Sequence, residues 1–494
     1  MRRTAVIAVV VALAASLVGA ALMPRVPRLG AQVTGDDDLA RLARTAVPDP
    51  KGHRGLAVAL VENGRIRTAG LGDRDADGRP VEAGTAFEIG SVTKVLTGML
   101  LADQAAAGVV HPDDRLGATW PTLTGPARDV TLAELASHRA GLPRLAPGSV
   151  LGWARILWSN VSGGNPYAGQ DIDTVRNAAD RVSPDAAERG EVHYSNLGPS
   201  LLGHALAAKA GVAYPDLLRA RLLQPLGMNA TVIAAHAAHA ADLPADRAHG
   251  GRAAGRPLDP WSGMGYAPAG VGPWSTAEDL GRLAAATLAG TAPGADATTA
   301  RLREDENNRV GYGWFTTRHG DHEVVWHNGA TSGFRSYLGF ERATGRAVVV
   351  LGNTDKGVEP IGRRLLGVPE KEAGEAASLA PVWIGAGLAV AFTFLGGLSL
   401  LRTARRRELD RVTVVAAVVW AFAYLGLAHR MGDWSVVPAW LWPVGAGLSV
   451  AGATVAVTRW SALPVVDARV PWRRLLAVAS SLLAAVLALA AVSD

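Results

Sequence analysis

"FEIGSVTKVLTGML" fills residues 87–100, and its reading decides what the surrounding chain folds into. A lysine follows a serine by three positions just where an apolar helical pattern begins. In a helix starting near Gly90, Ser91 and Lys94 project together from the first turn. A serine there has its backbone N–H at the positive end of the helix dipole, where an oxyanion is stabilised. Its hydroxyl is a poor nucleophile until a base takes the proton. Lysine serves as that base only where burial or a neighbouring cation brings its pKa down. On its own, Ser-x-x-Lys is a weak signal that more often describes a capping serine beside a solvated lysine.

The segments around this stretch decide between the two readings. "GLAVALVENGRIRTAGLG" (55–72) reads as two strands around an Asn-Gly turn, and "HEVVWHNGATSGFRSYLGFERATGRAVVVLGN" (322–353) as at least three more. "STAEDLGRLAAATL" (275–288) opens with a Ser/Thr cap and early acids, as a helix does. Strands at both ends with helices between predict one sheet assembled from both ends of a globular region, residues 35–368.

"HYSNLGPSLLGHALAAKAG" (193–211) places Tyr194-Ser195-Asn196 ahead of a helix, and "VVWHNGATSGFRS" (324–336) places His327-Asn328-Gly329 in a strand. Read singly, the first is a polar turn and the second a structural histidine. In order, the three motifs resemble those of the serine β-lactamase and penicillin-binding protein superfamily. The likeness is to the branch holding class C β-lactamases, D,D-carboxypeptidases and related esterases. "TLAELASHRAGLPRL" (131–145) and "APAGVGPWSTAEDLGRL" (267–283) resemble framework stretches of the same branch.

The resemblance implies an α/β (α+β) fold, an antiparallel sheet flanked by helices, with a mainly helical subdomain inserted after Leu142. It implies a serine hydrolase: Ser91 as nucleophile, Lys94 and Tyr194 managing protons, and an acyl-serine intermediate. Asn196, His327, Gly329 and Ala330 would bind substrate, with the Ala330 N–H as second oxyanion donor and Gly329 letting substrate lie close to the strand. The implied substrate is a small molecule or peptide with an amide, lactam or ester bond, cell-wall derived in one version. Many β-lactam hydrolases carry lysine where this chain has His327. Histidine is mostly neutral near pH 7, so esters and uncharged amides gain over carboxylate-bearing substrates.

Outside the globular region the composition changes. "MRRTAVIAVVVALAASLVGAALMP" has two arginines before an apolar stretch, the layout of an export signal, so residues 1–34 read as signal peptide or anchor. Beyond a linker at 369–378, the runs Leu379–Leu401, Val412–Ala428, Val436–Thr458 and Leu475–Val492 contain no Asp, Glu, Lys, Arg or His. Each is near the ~20 residues that cross a bilayer, so 379–494 reads as a four-helix transmembrane bundle. "RTARRRELDR" (402–411) and "RWSALPVVDARVPWRR" (459–474) are arginine-rich, while "HRMGDWS" (429–435) is nearly balanced. Positive-inside bias then puts the globular region on the extracytoplasmic side of a multi-pass cell-membrane protein.

Composition narrows the chemistry further. The 494 residues carry a net charge of +5, but no nucleic-acid motif accompanies it and much of the arginine lies between the apolar runs. Cysteine is absent, which removes disulfides, thiolate nucleophiles and cysteine-held metal. No His/Asp/Glu cluster has ligand spacing, so no cofactor and no metal are expected. A second function class stays open: a membrane sensor whose outer domain binds, or is acylated by, a cell-wall or β-lactam ligand without efficient turnover.

Overall fold

Alternation in the first hairpin sets up two hydrophobic cores. In β2 (Gly55–Glu62), Ala57, Ala59 and Val61 face one cluster, while Leu56, Val58 and Leu60 face the other. Such period-two burial on both faces marks a central strand covered on each side. β2 joins β3 (Arg65–Gly72) through Asn63 and Gly64, both at positive φ, the turn that the Asn-Gly pair favours.

A computed structural model describes residues 2–146, 150–234, 243–369, 380–404, 410–465 and 479–480. Besides these two strands, the sheet takes in β1 (Val33–Gly35) and, from the far end of the globular region, β7 (Leu302–Arg303), β8 (Asn308–Val310), β9 (Phe315–His319), β10 (His322–Ala330), β11 (Arg335–Glu341) and β12 (Arg346–Gly352). Its nine strands run β1-β3-β2-β12-β11-β10-β9-β8-β7, each antiparallel to its neighbour. The predicted union of both chain ends is the β2–β12 pairing, in register from Leu56 opposite Gly352 to Val61 opposite Ala347. A small second sheet has β6 (Pro273–Ser275) between β4 (Phe87–Glu88) and β5 (Val232–Ile233).

One face of the large sheet is covered by the Asp37–Ala46 and Glu359–Leu366 helices, whose Leu39, Ala43, Ile361 and Leu365 complete the smaller cluster. The other carries the Ala277–Leu288 helix, with Thr276 as its cap, and beyond it the Thr93–Ala106 and Leu197–Ala210 helices. The insertion after Leu142 is helical, as expected: Val150–Ser162 and Ile172–Arg181 precede Tyr194. This is the antiparallel sheet flanked by helices that the motifs implied.

Among the described residues, three helices outside the sheet domain are long and apolar enough to cross a membrane: Arg3–Leu22, Trp383–Thr403 and Arg411–Met431. The third apolar run differs from expectation. Its helix covers Leu441–Val457, not Val436–Thr458, and is shorter than a usual span. Asp433 holds the Val436 and Val437 amides in a turn, and Pro438, which has no N–H, follows before the helix opens at Leu441. The Leu475–Val492 run and the 369–378 linker lie almost wholly outside the described residues. Small residues bring these helices together. A Cβ at Gly447 would sit 2.2 Å from Ser16 Oγ in the N-terminal helix, and one at Gly396 2.6 Å from Ala421 Cα.

Candidate active site

Ser91 belongs to a single 3-10 turn, Gly90–Val92, that runs straight into the Thr93–Ala106 helix. The small sheet holds the turn's entry, with the Ile89 N–H bonded to the Pro273 carbonyl at 3.1 Å. Gly90 has φ +51, and a Cβ there would lie 2.8 Å from the Ala330 nitrogen. Only glycine lets the end of β10 come this near the serine. Gly270, at φ +115, closes the other side, where a Cβ would meet the Gly90 carbonyl oxygen at 2.2 Å.

The helical spacing of Ser91 and Lys94 produces contact. Lys94 Nζ lies 2.8 Å from Ser91 Oγ and 2.7 Å from the Ala269 carbonyl oxygen. Lys94 is 1% exposed, and both of these partners are uncharged. Burial holds its pKa well below the usual lysine range, and the Arg144 guanidinium pushes in the same direction. Both routes that the sequence required for a basic lysine are therefore present.

Tyr194 comes from the stretch before the Leu197–Ala210 helix and hydrogen-bonds Ser91. Its ring lies 4.9 Å from Lys94 Nζ and 5.7 Å from the Arg144 guanidinium carbon. Burial raises the phenol, with the Ser91 bond opposing it. Several bonds stitch this stretch down. Ser195 Oγ donates to the Pro143 carbonyl, Ser195 N–H to His138 Nδ1, and Asn196 N–H to the Arg144 carbonyl. His138 packs its ring 4.6 Å from Tyr194. The Asn196 amide bonds the Tyr167 phenol, and its buried Oδ1 has no protein partner.

His327 closes the cluster from β10, fully buried, with ring centroids 6.4 Å from Tyr194 and 5.3 Å from Phe315. Burial first, and Lys94 second, pull its pKa down to about 3, so it is neutral at physiological pH. Its Nδ1 donates to the Asn328 carbonyl, which leaves buried Nε2 as an unpartnered acceptor. Gly329 packs against the start of the Ser91 turn. A Cβ there would meet the Ile89 carbonyl oxygen at 2.1 Å, so its space is taken by the turn that carries Ser91. Ala330 is exposed at the strand end.

Ser91, Lys94, Tyr194 and His327 thus converge, while the Asn196 side chain is bonded to Tyr167. Two residues with evident influence, Arg144 and His138, were not singled out by sequence reasoning. Both lie in the framework stretch 131–145, yet nothing in its pattern tells which side chains turn toward Ser91. A group of three or more metal-ligating side chains is not found among the described residues.

A family described as Beta-lactamase matches residues 42–367, well over half of the chain. The chain belongs to the β-lactamase family. Similar curated proteins include "Beta-lactamase" of Escherichia coli K12, 29% identical over 36% of this chain and 43% of that one. "D-alanyl-D-alanine-carboxypeptidase/endopeptidase AmpH" of the same organism is 28% identical over 36% and 45%. "Beta-lactamase-like protein 2" of Dictyostelium discoideum is 28% identical over 31% and 27%. The chain thus spans less than half the length of each. The region shared with the β-lactamase family coincides with the sheet domain, and the apolar helices fall outside it.

Proposed function

We propose that this β-lactamase family member is a membrane-anchored serine hydrolase that opens amide, lactam or ester bonds through an acyl-serine intermediate. The observation that carries the proposal is a buried lysine amine 2.8 Å from a serine oxygen at a helix start. A lysine whose pKa burial holds well below the usual range accepts the Ser91 proton as the oxygen attacks a carbonyl carbon. Tyr194, its pKa raised, keeps its proton in the free enzyme and is the natural donor to the leaving group. The Ser91 and Ala330 N–H groups would hold the oxyanion, and Asn196 Oδ1 would accept from an amide on the acyl side. Neutral His327 offers hydrogen bonding but no fixed charge, which favours esters and uncharged amides.

In this proposal residues 35–368 form the hydrolase domain, of the class C-like and carboxypeptidase branch. Residues 1–34 and 379–494 anchor it, and it faces the extracytoplasmic side. Arginine placement around the apolar runs supports that orientation. The test is a fluorescent fluorophosphonate or β-lactam probe followed over time on the full chain. Labelling at Ser91 with steady turnover is expected. A stable adduct means a sensor, and no labelling means a binding fold.

A further inference from the structure

A cavity in the helical insertion reaches the catalytic cluster through one lining residue, Tyr167, which is bonded to Asn196. It has a volume of about 240 Å³; its walls include Leu145, Ile156, Tyr167, Trp261 and Tyr266, and the exposed Arg155 is the charged residue that lines it. For scale, an apolar cavity of about 150 Å³ accepts benzene. The aromatic walls pack on one another, with Tyr167 centred 5.0 Å from Trp261 and 5.3 Å from Tyr266. Both rims connect to the catalytic cluster. Tyr167 is bonded to Asn196, and the Trp261 N–H donates to Glu88, whose other oxygen accepts from Thr331, next to Ala330. An acyl chain extending from Ser91 past Asn196 and Tyr167 would run toward this cavity.

The cavity's outer wall is the Val150–Ser162 helix. Gly152 and Ile156 line the pocket, whereas Leu157 and Trp158 point outward, 67% and 44% exposed. The end of this helix is tied to a candidate membrane span. The guanidinium of Arg430, from the last turn of the Arg411–Met431 helix, donates to the Ser162 carbonyl at 3.1 Å. A leucine and a tryptophan exposed on a helix fastened to the border of a span have the position of an interfacial anchor.

We infer that the Val150–Ser162 helix rests on the membrane surface and that the pocket behind it takes the apolar acyl chain of an amphiphilic ester or amide drawn from that surface. This rests on the hydrolase and membrane readings above. Ser91 Oγ bonds to the acyl carbon as the carbon–oxygen or carbon–nitrogen bond breaks, and its proton leaves with the alcohol or amine. Water then releases the acyl chain as a carboxylic acid and restores the serine.

The test uses the full chain in lipid nanodiscs with p-nitrophenyl esters from acetyl to decanoyl. Activity (kcat/KM) should rise with chain length by about fourfold per buried methylene until the pocket is full. Ile156→Trp should lower the decanoyl-to-acetyl ratio about tenfold or more, and Ile156→Ala should move the optimum to longer chains. For a long-chain ester embedded in phosphatidylcholine vesicles, Leu157→Glu with Trp158→Glu should lower the vesicle-to-solution rate ratio about tenfold. A flat chain-length series, or ratios indifferent to residue 156, overturns the pocket. A vesicle ratio indifferent to the double variant overturns membrane delivery. Failure to hydrolyse even the acetyl ester, with no probe labelling, removes the hydrolase reading and the inference with it.

Discussion

At the scale of single residues, Lys94 carries the sharpest consequences. Its amine is buried between two uncharged acceptors, so the neutral form suits the site. A neutral base is available only above its own pKa, so the acid limb of kcat/KM should rise as Lys94 loses its proton. Arg144 helps to hold that pKa down. Removing its charge in Arg144→Gln should move the acid limb to higher pH, while Arg144→Lys should leave it near the wild-type position. A pH–rate profile decides this, and a limb moving to lower pH would contradict the assignment. Ser91→Ala should abolish both hydrolysis and probe labelling. Lys94→Ala should slow acylation by about 100-fold or more, the usual scale for losing a general base. These residues were legible because a motif is a local pattern. Arg144 was not, because its approach to Tyr194 depends on how the 142–146 loop is stitched to residues 194–196.

Among the elements, β4 makes its own prediction. Glu88 is fully buried there, accepting from Thr331 Oγ1 and the Trp261 N–H, and burial pushes its pKa up to about 8. The folded state thus keeps a proton that the unfolded chain releases in the ordinary carboxylate range. Its contribution to stability is full at low pH and fades as pH rises from that range through about 8. Glu88→Gln preserves shape and has no proton to lose. Relative to it, the wild-type Tm should fall between pH 5 and 8, by about 2–4 °C for each kcal/mol of difference. Equal slopes for the two proteins would show that Glu88 is ionised in the fold.

The elements also mark where sequence reading ran short. The first hairpin and β10–β12 alternate clearly and turn on recognisable residues. β1, β7 and β8 have only two or three residues each and owe their pairing to the neighbour they extend. The third apolar run was overestimated because hydropathy counts Val436 and Val437 as membrane residues, whereas Asp433 and Pro438 hold them in a turn.

For the whole molecule, arginine bias and helix packing give separate expectations. Protease added to intact cells or spheroplasts should remove residues 36–367, and full protection would invert the orientation. Packing speaks to the N-terminal helix. Gly447 and Gly19 allow backbone approach between this helix and Leu441–Val457, as small residues do between membrane helices. An epitope tag placed at Met1 should therefore remain on the mature full-length chain. Its loss by cleavage after the apolar stretch would mean that the helix is a removable leader.

That contact also sets a clock for biogenesis. Gly447 follows Ser16 by several hundred positions, so it is made well after it. At ~5–20 residues per second, the first helix waits tens of seconds for its partner to leave the ribosome. Throughout that interval its glycine face is uncovered, and in the proposed topology the sheet domain between the two is translocated in the meantime. Quality-control machinery that recognises unpaired helices would have its longest opportunity there. A chain terminated before the Leu441–Val457 helix would keep that opportunity open indefinitely.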